Sequence, residues 1–138
     1  MYVMPSTIRR IKELLESGKV SITAVREKQF IRTAKNIVLG NFDGSDTKTC
    51  IIHTLERVLN IDAIKNRVCP YCGKKAKTAR GLLVHLVRSN ECSHRFRKDV
   101  LFAAAIYSIA MQAKTYDEDR IVAVDKALEI AKRIGFSI

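Results

Sequence analysis

The sequence predicts a mostly α-helical fold broken once by a small cysteine-bearing element, and three observations carry that expectation. Apolar residues recur at helical spacing through residues 1–68 and again beyond residue 95. Capping residues and stop glycines stand at the ends of those segments. Between them, Cys69 and Cys72 enclose two residues in a stretch that is far more basic than either flank. At 138 residues the chain is about the size of one domain, and 47% hydrophobic against 28% charged residues is the balance of a chain with a packed core.

Each element has its own local reason. Ser6 or Thr7 can cap a first helix with Ile8, Ile11 and Leu15 on one face, and Gly18 stands where it should stop. A second helix opens near Ser21 or Thr23, carries Val25, Phe30, Ile31, Ala34, Ile37 and Val38 at helical spacing, and ends at Leu39 and Gly40. Residues 41–46 read as a loop whose last residue, Asp46, caps a third helix through Cys50, Ile51, Leu55, Val58 and Leu59; Asp62 begins a short piece after it. A short apolar helix follows at about residues 81–88. Residues 96–114 should form one helix, apolar on nearly every side over 100–111, which places it at the centre of the fold. Asp117 opens a last helix with Ile121, Val124, Leu128, Ala131 and Ile134 turned inward, and Gly135 stops it. The expected organisation is an N-terminal helical part (1–68), the cysteine element (69–94) and a C-terminal helical pair (95–138), all within one compact domain.

The formal net charge is +11, from 25 Lys and Arg against 14 Asp and Glu, and a polyanion is the partner such a surface meets. The excess is uneven. Residues 69–99 hold 8 basic and 2 acidic groups, whereas residues 100–138 hold 5 of each. Nucleic acid is therefore the expected partner, met first at the cysteine segment. The N-terminus reaches Arg9, Arg10 and Lys12 without an apolar run, so no signal peptide is expected and the protein is placed in the cytoplasm, or in the host cell if it is viral. The longest uncharged stretch, residues 100–113, is shorter than the roughly 20 apolar residues of a membrane span. No glycine-rich phosphate loop, nucleophile elbow or His-Glu-x-x-His motif occurs, so no catalytic activity is expected.

Cys69-Pro70-Tyr71-Cys72-Gly73 is a knuckle whose two thiolates can reach one tetrahedral Zn²⁺ at about 2.3 Å each, with Gly73 bending the chain behind the second sulfur. His85 on the following helix and Cys92 beyond it complete a closed site. His94 is the alternative fourth ligand; Cys92 is preferred because it is a thiolate and lies nearer His85. A redox pair would want a βαβ setting, which this sequence lacks. Cys50 and His53 also lie within reach of each other on a helix, but no second pair stands nearby, and Cys50 reads as a small buried residue.

These residues resemble the C2H2-type zinc finger, the ββα nucleic-acid-binding module, in its C2HC variant: Cys69-x2-Cys72-x3-Ala76-x5-Leu82-x2-His85 matches that pattern over about residues 67–94. Short CPYCG-to-GLLVHL elements of this kind are similar to those of small basic zinc-finger proteins of archaea and their viruses. The implied fold is mostly α, a helical domain with one embedded ββα zinc finger. Ala76 stands where the family has Phe or Tyr, so the element's own core is thin. The spacing to Cys92 or His94 exceeds the family's usual three to five residues. The resemblance places the base-contacting positions at Thr78, Gly81 and Val84, with Arg80 auxiliary, and of these Arg80 alone can read a base edge strongly. Leu82, Leu83, Val84, Leu86 and Val87 make the helix apolar on more than one face, so it should pack into the surrounding helices.

The expected nucleic-acid contacts are therefore mainly to phosphate, from Lys74, Lys75, Lys77, Thr78, Arg80, Arg88, Arg95, Arg97 and Lys98. A solvated charged face is the bland alternative for that run, and an exposed helix face explains Arg9 and Arg10 equally well. Tyr71 and Phe96 could stack on bases, although core packing suits Phe96 better. A DNA-binding transcription regulator is the first expectation. A structural RNA-associated protein is the second, and a protein-docking module that uses the apolar helix is the third.

Overall fold

A computed structural model describes residues 3–41 and 46–137. Among them lie seven helices: α1 (Pro5–Ser17), α2 (Ala24–Val38), α3 (Asp46–Val58), α4 (Ile61–Lys65), α5 (Ala79–Arg88), α6 (Asn90–Ala113) and α7 (Arg120–Ile134). Residues 42–45 of the expected 41–46 loop, and the capping side chain of Asp46, lie outside the described residues.

α6 is the axis. Val100, Ala103, Ala104, Ile106, Tyr107, Ile109 and Ala110 are all buried along it, and α1, α2, α3, α5 and α7 pack around it. Its alanines let the neighbouring helices approach closely, while Ile106 and Ile109 fill the space between them. Phe30 of α2 meets Tyr107 edge-on, with ring centroids 5.4 Å apart, a favoured aromatic geometry. Ile11, Leu15, Ile51, Leu55, Val124 and Leu128 close the same core from α1, α3 and α7.

The helix ends correct several local expectations. α1 starts at Pro5 behind an extended Met4, because the fixed φ of proline suits the first helical position; Thr7 lies inside the first turn and gives its hydroxyl to Glu118. The α2 cap is Thr23, which accepts from the Arg26 N–H. Val25, placed on the apolar face by periodicity, is 77% exposed in the first turn. Asn60 rather than Asp62 caps α4, and Asp119 rather than Asp117 caps α7, accepting from the N–H groups of Ile121 and Val122. Gly18 and Gly135 end α1 and α7 in the left-handed region, as stop glycines do.

The main correction concerns the cysteine element. The described residues contain no strand or sheet, so the ββα unit is absent and the domain is helical throughout. A single antiparallel bridge, Val68 to Lys75, is all that pairs there. The physical reason lies in the flanks. The residues that would form the first strand are spent on α4 and on a turn at Arg67, whose φ of 59° breaks an extended run. On the other side, Thr78 already caps α5 through the Gly81 N–H at 3.0 Å, which leaves only a few extended residues after the knuckle.

Candidate metal centre

The knuckle is a backbone turn closed on itself. The Gly73 N–H donates to the Cys69 carbonyl at 2.9 Å, and the Cys69 N–H donates to the Lys74 carbonyl at 2.9 Å. Gly73 takes φ 77°, a conformation L side chains rarely adopt, so the tight bend expected behind Cys72 is present. The Ala76 N–H donates to the Arg67 carbonyl at 2.8 Å and directs the chain toward α5.

Three elements each bring ligand atoms to one point. The knuckle supplies Cys69 and Cys72, α5 supplies His85, and the first turn of α6 supplies Cys92. All four ligand atoms lie within 4.8 Å of one another, so the cluster could hold a metal ion. Cys69 and Cys92 are buried, His85 is half-buried and Cys72 faces solvent. The Cys72 Sγ and His85 Nε2 atoms are 3.4 Å apart. Ligand bonds of about 2.3 Å to sulfur and 2.0–2.1 Å to nitrogen, meeting at a tetrahedral angle, separate those atoms by about 3.5 Å. All four cysteines are free thiols. The Lys74 backbone N–H holds the Cys72 thiol below its usual value, while burial pushes the Cys92 thiol above it.

Cys92 enters the cluster because Ser89 is extended (φ −66°, ψ 131°), which ends α5 and restarts the chain as α6 at Asn90. His94, two residues further along that helix, faces elsewhere and lines a groove with Ile31, Leu86 and Phe96. Residues two apart on a helix do not share a face, so one starting point for α6 cannot serve both ligands equally. Cys50 is buried, and burial raises its thiol; His53 pairs with Asp125, Nε2 to Oδ1 at 2.7 Å.

A side-chain latch that spacing did not suggest backs the centre. The Tyr71 hydroxyl donates to Asp99 Oδ2 at 2.5 Å, and the Arg95 guanidinium lies 5.1 Å from the centroid of the same ring. Burial and the Asp99 contact push the phenol far above its usual value, so Tyr71 is engaged rather than free to stack on a base. No local pattern marks this pair, whose members stand 28 residues apart.

Of the expected phosphate contacts, Lys74, Lys75, Lys77, Arg80, Arg88, Arg95, Arg97 and Lys98 are all exposed. Arg97 forms an ion pair with Glu27 of α2. The exposed Thr78 accepts the Gly81 N–H at its hydroxyl oxygen, which leaves its O–H as a donor. α5 buries Leu82 and Leu86 against the core, packing on α6 and α2, while Val84 and Val87 are 47% and 44% exposed. The helix therefore docks by one face and leaves two valines in solvent. No helix among the described residues is long and apolar enough to cross a membrane. Comparison with protein-family models, curated proteins and solved structures finds no match for this chain.

Proposed function

We propose that this chain is a zinc-stapled nucleic-acid-binding protein that grips the phosphate backbone of duplex DNA, in the service of transcription regulation. The observation that carries the reading is the coincidence of the ligand cluster with the basic surface. Eight exposed cations lie on the segment that the four ligands hold, and among the described residues only Arg97 of the eight has an ion-pair partner. Zinc suits the donor set, because three thiolates and one imidazole fill a tetrahedron and leave no position open for water. The ion's part is then structural: bound metal adds folding free energy and fixes the basic segment against α6. The resemblance to C2H2-type fingers survives in the ligand order Cys, Cys, His, Cys and not in the ββα geometry.

The same residues argue for backbone contact over base reading. Gly81 has no side chain and Val84 cannot hydrogen-bond, which leaves Arg80 and the Thr78 hydroxyl, whose oxygen already accepts from the Gly81 N–H, as the polar side chains at those positions. Affinity should accordingly be nearly independent of sequence and steeply dependent on salt. The test is a pair of titrations of the zinc-loaded protein, with random duplex DNA and with structured RNA, at low and high salt. Tight, salt-sensitive binding to duplex supports the proposal. Preference for RNA transfers it to a ribonucleoprotein role, since phosphate gripping also suits shape recognition. Binding to neither overturns it.

A further inference from the structure

The ends of α3 and α7, the middle of α6 and the segment after α7 line an open cleft of about 340 Å³. Its apolar walls are Val58, Phe102, Leu128 and Phe136, and the two phenylalanine rings stand 6.0 Å apart at 39°. Three cations, Arg57, Lys98 and Lys132, line the same space. The acid on its wall, Asp99, is already bonded to the Tyr71 hydroxyl. Arg57 lies 3.7 Å from Asp125, whereas neither Lys98 nor Lys132 has an ion-pair partner among the described residues. Arg57 and Lys132 sit in the last turns of their helices, where any cation complements the dipole. Lys98 stands well inside α6, where that role does not account for it.

Size separates this cleft from the groove beside His94. Ligand pockets begin at about 300 Å³. The groove beside His94 measures about 240 Å³, and its Arg97 is already paired with Glu27. Aromatic walls favour a flat π-face, and unpaired lysines favour an anion. A nucleotide carries both. Resting on the nucleic-acid reading above, we propose that this cleft takes one unpaired nucleotide, its base against Phe102 and Phe136 and its phosphate on Lys98 and Lys132. A base inside a duplex hides both faces in the stack, so the nucleotide comes from a bulge or strand end, or is a free mononucleotide. Asp99 joins the cleft to the metal-held knuckle through Tyr71, so a strand on the basic segment adjoins it.

The test is a fluorescence titration of the zinc-loaded protein with three probes: a duplex carrying a fluorescent purine analogue as a one-base bulge, the same duplex fully paired, and adenosine monophosphate. The bulged duplex should bind about tenfold tighter than the paired one, with the analogue quenched by stacking. Phe136→Leu keeps an apolar wall but removes the ring, and should abolish that preference while leaving affinity for the paired duplex unchanged. Lys132→Gln, an exposed change that does not touch the core, should reduce the preference if Phe136→Leu fails to fold. Binding of adenosine monophosphate without a bulge preference upholds the nucleotide site and assigns it to the free ligand. Equal affinity for the two duplexes with no monophosphate binding overturns the cleft proposal and leaves the backbone reading standing. Binding of none of the three overturns both.

Discussion

The Tyr71 hydroxyl meets Asp99 Oδ2 at 2.5 Å, which latches the turn between two ligand cysteines to α6 two helical turns beyond Cys92. The Arg95 guanidinium covers the same ring and donates to the Tyr71 carbonyl at 3.5 Å. α6 thus meets the knuckle twice, at the candidate ligand Cys92 and through the Asp99 and Arg95 side chains.

Removing the latch should separate the two contacts. Tyr71→Phe loses a hydrogen bond to a carboxylate and should cost about 1.5–3 kcal/mol, while every candidate ligand stays in place. Urea denaturation of the metal-loaded protein measures the loss, and metal analysis should still find one ion per chain. An unchanged midpoint would mean that water replaces the phenol at Asp99 without cost.

Cys72→Ser tests the centre itself. Cys72 is exposed, so the smaller oxygen disturbs no packing, and loss of the ligand is the only large effect expected. The variant should lose its metal and release the knuckle and α5 from α6. Retention of one ion with undiminished thermal stability would sink the ligand assignment.

Replacing Lys74, Lys75 and Lys77 by Ala should weaken binding to all duplex sequences alike. If each lysine neutralises one phosphate, the slope of log K against log salt should flatten by about 0.9 for every lysine replaced. Weakening confined to one sequence would show that bases are read after all.

Acid should loosen the N-terminus through Glu118. Burial pushes that carboxyl up, but the Thr7 hydroxyl, the Thr115 and Met4 N–H groups and the Thr115 hydroxyl outweigh it and hold the group down at about 2. A carboxyl held below its unfolded value of 4.5 stabilises the fold fully above that pH and loses its contribution as pH falls toward about 2. Melting temperatures of the natural protein and of Glu118→Gln should therefore differ by a constant amount above about pH 5 and converge below it. A gap that persists at pH 2 would assign the effect to shape rather than charge.

Much of the helical framework was legible because its signals are local. The all-round apolar stretch of α6, the stop glycines Gly18 and Gly135 and the cap at Thr23 each report on neighbouring residues alone. The errors were local conflicts between adjacent signals: Ser6 and Thr7 against Pro5, Asp62 against Asn60, and Asp117 against Asp119. Pro5 fixed the start of α1 by its own φ, whereas Asn60 and Asp119 stand close to rivals of the same capping chemistry, so residue type alone did not choose between them. The ββα expectation failed for a related reason, since ligand spacing constrains four side chains but not the backbone between them.

The sequence by itself determined a helical chain with one basic segment, and it confined the candidate metal ligands to Cys69, Cys72, His85 and either Cys92 or His94, because periodicity, charge and spacing are short-range properties. The tertiary structure decided the rest. It broke the chain at Ser89 so that Cys92 faces the knuckle, brought Tyr71 to Asp99, and set Lys98 and Lys132 beside two phenylalanine rings. Those relationships join residues far apart in the chain, and they exist only because α6 gathers the other helices around one core.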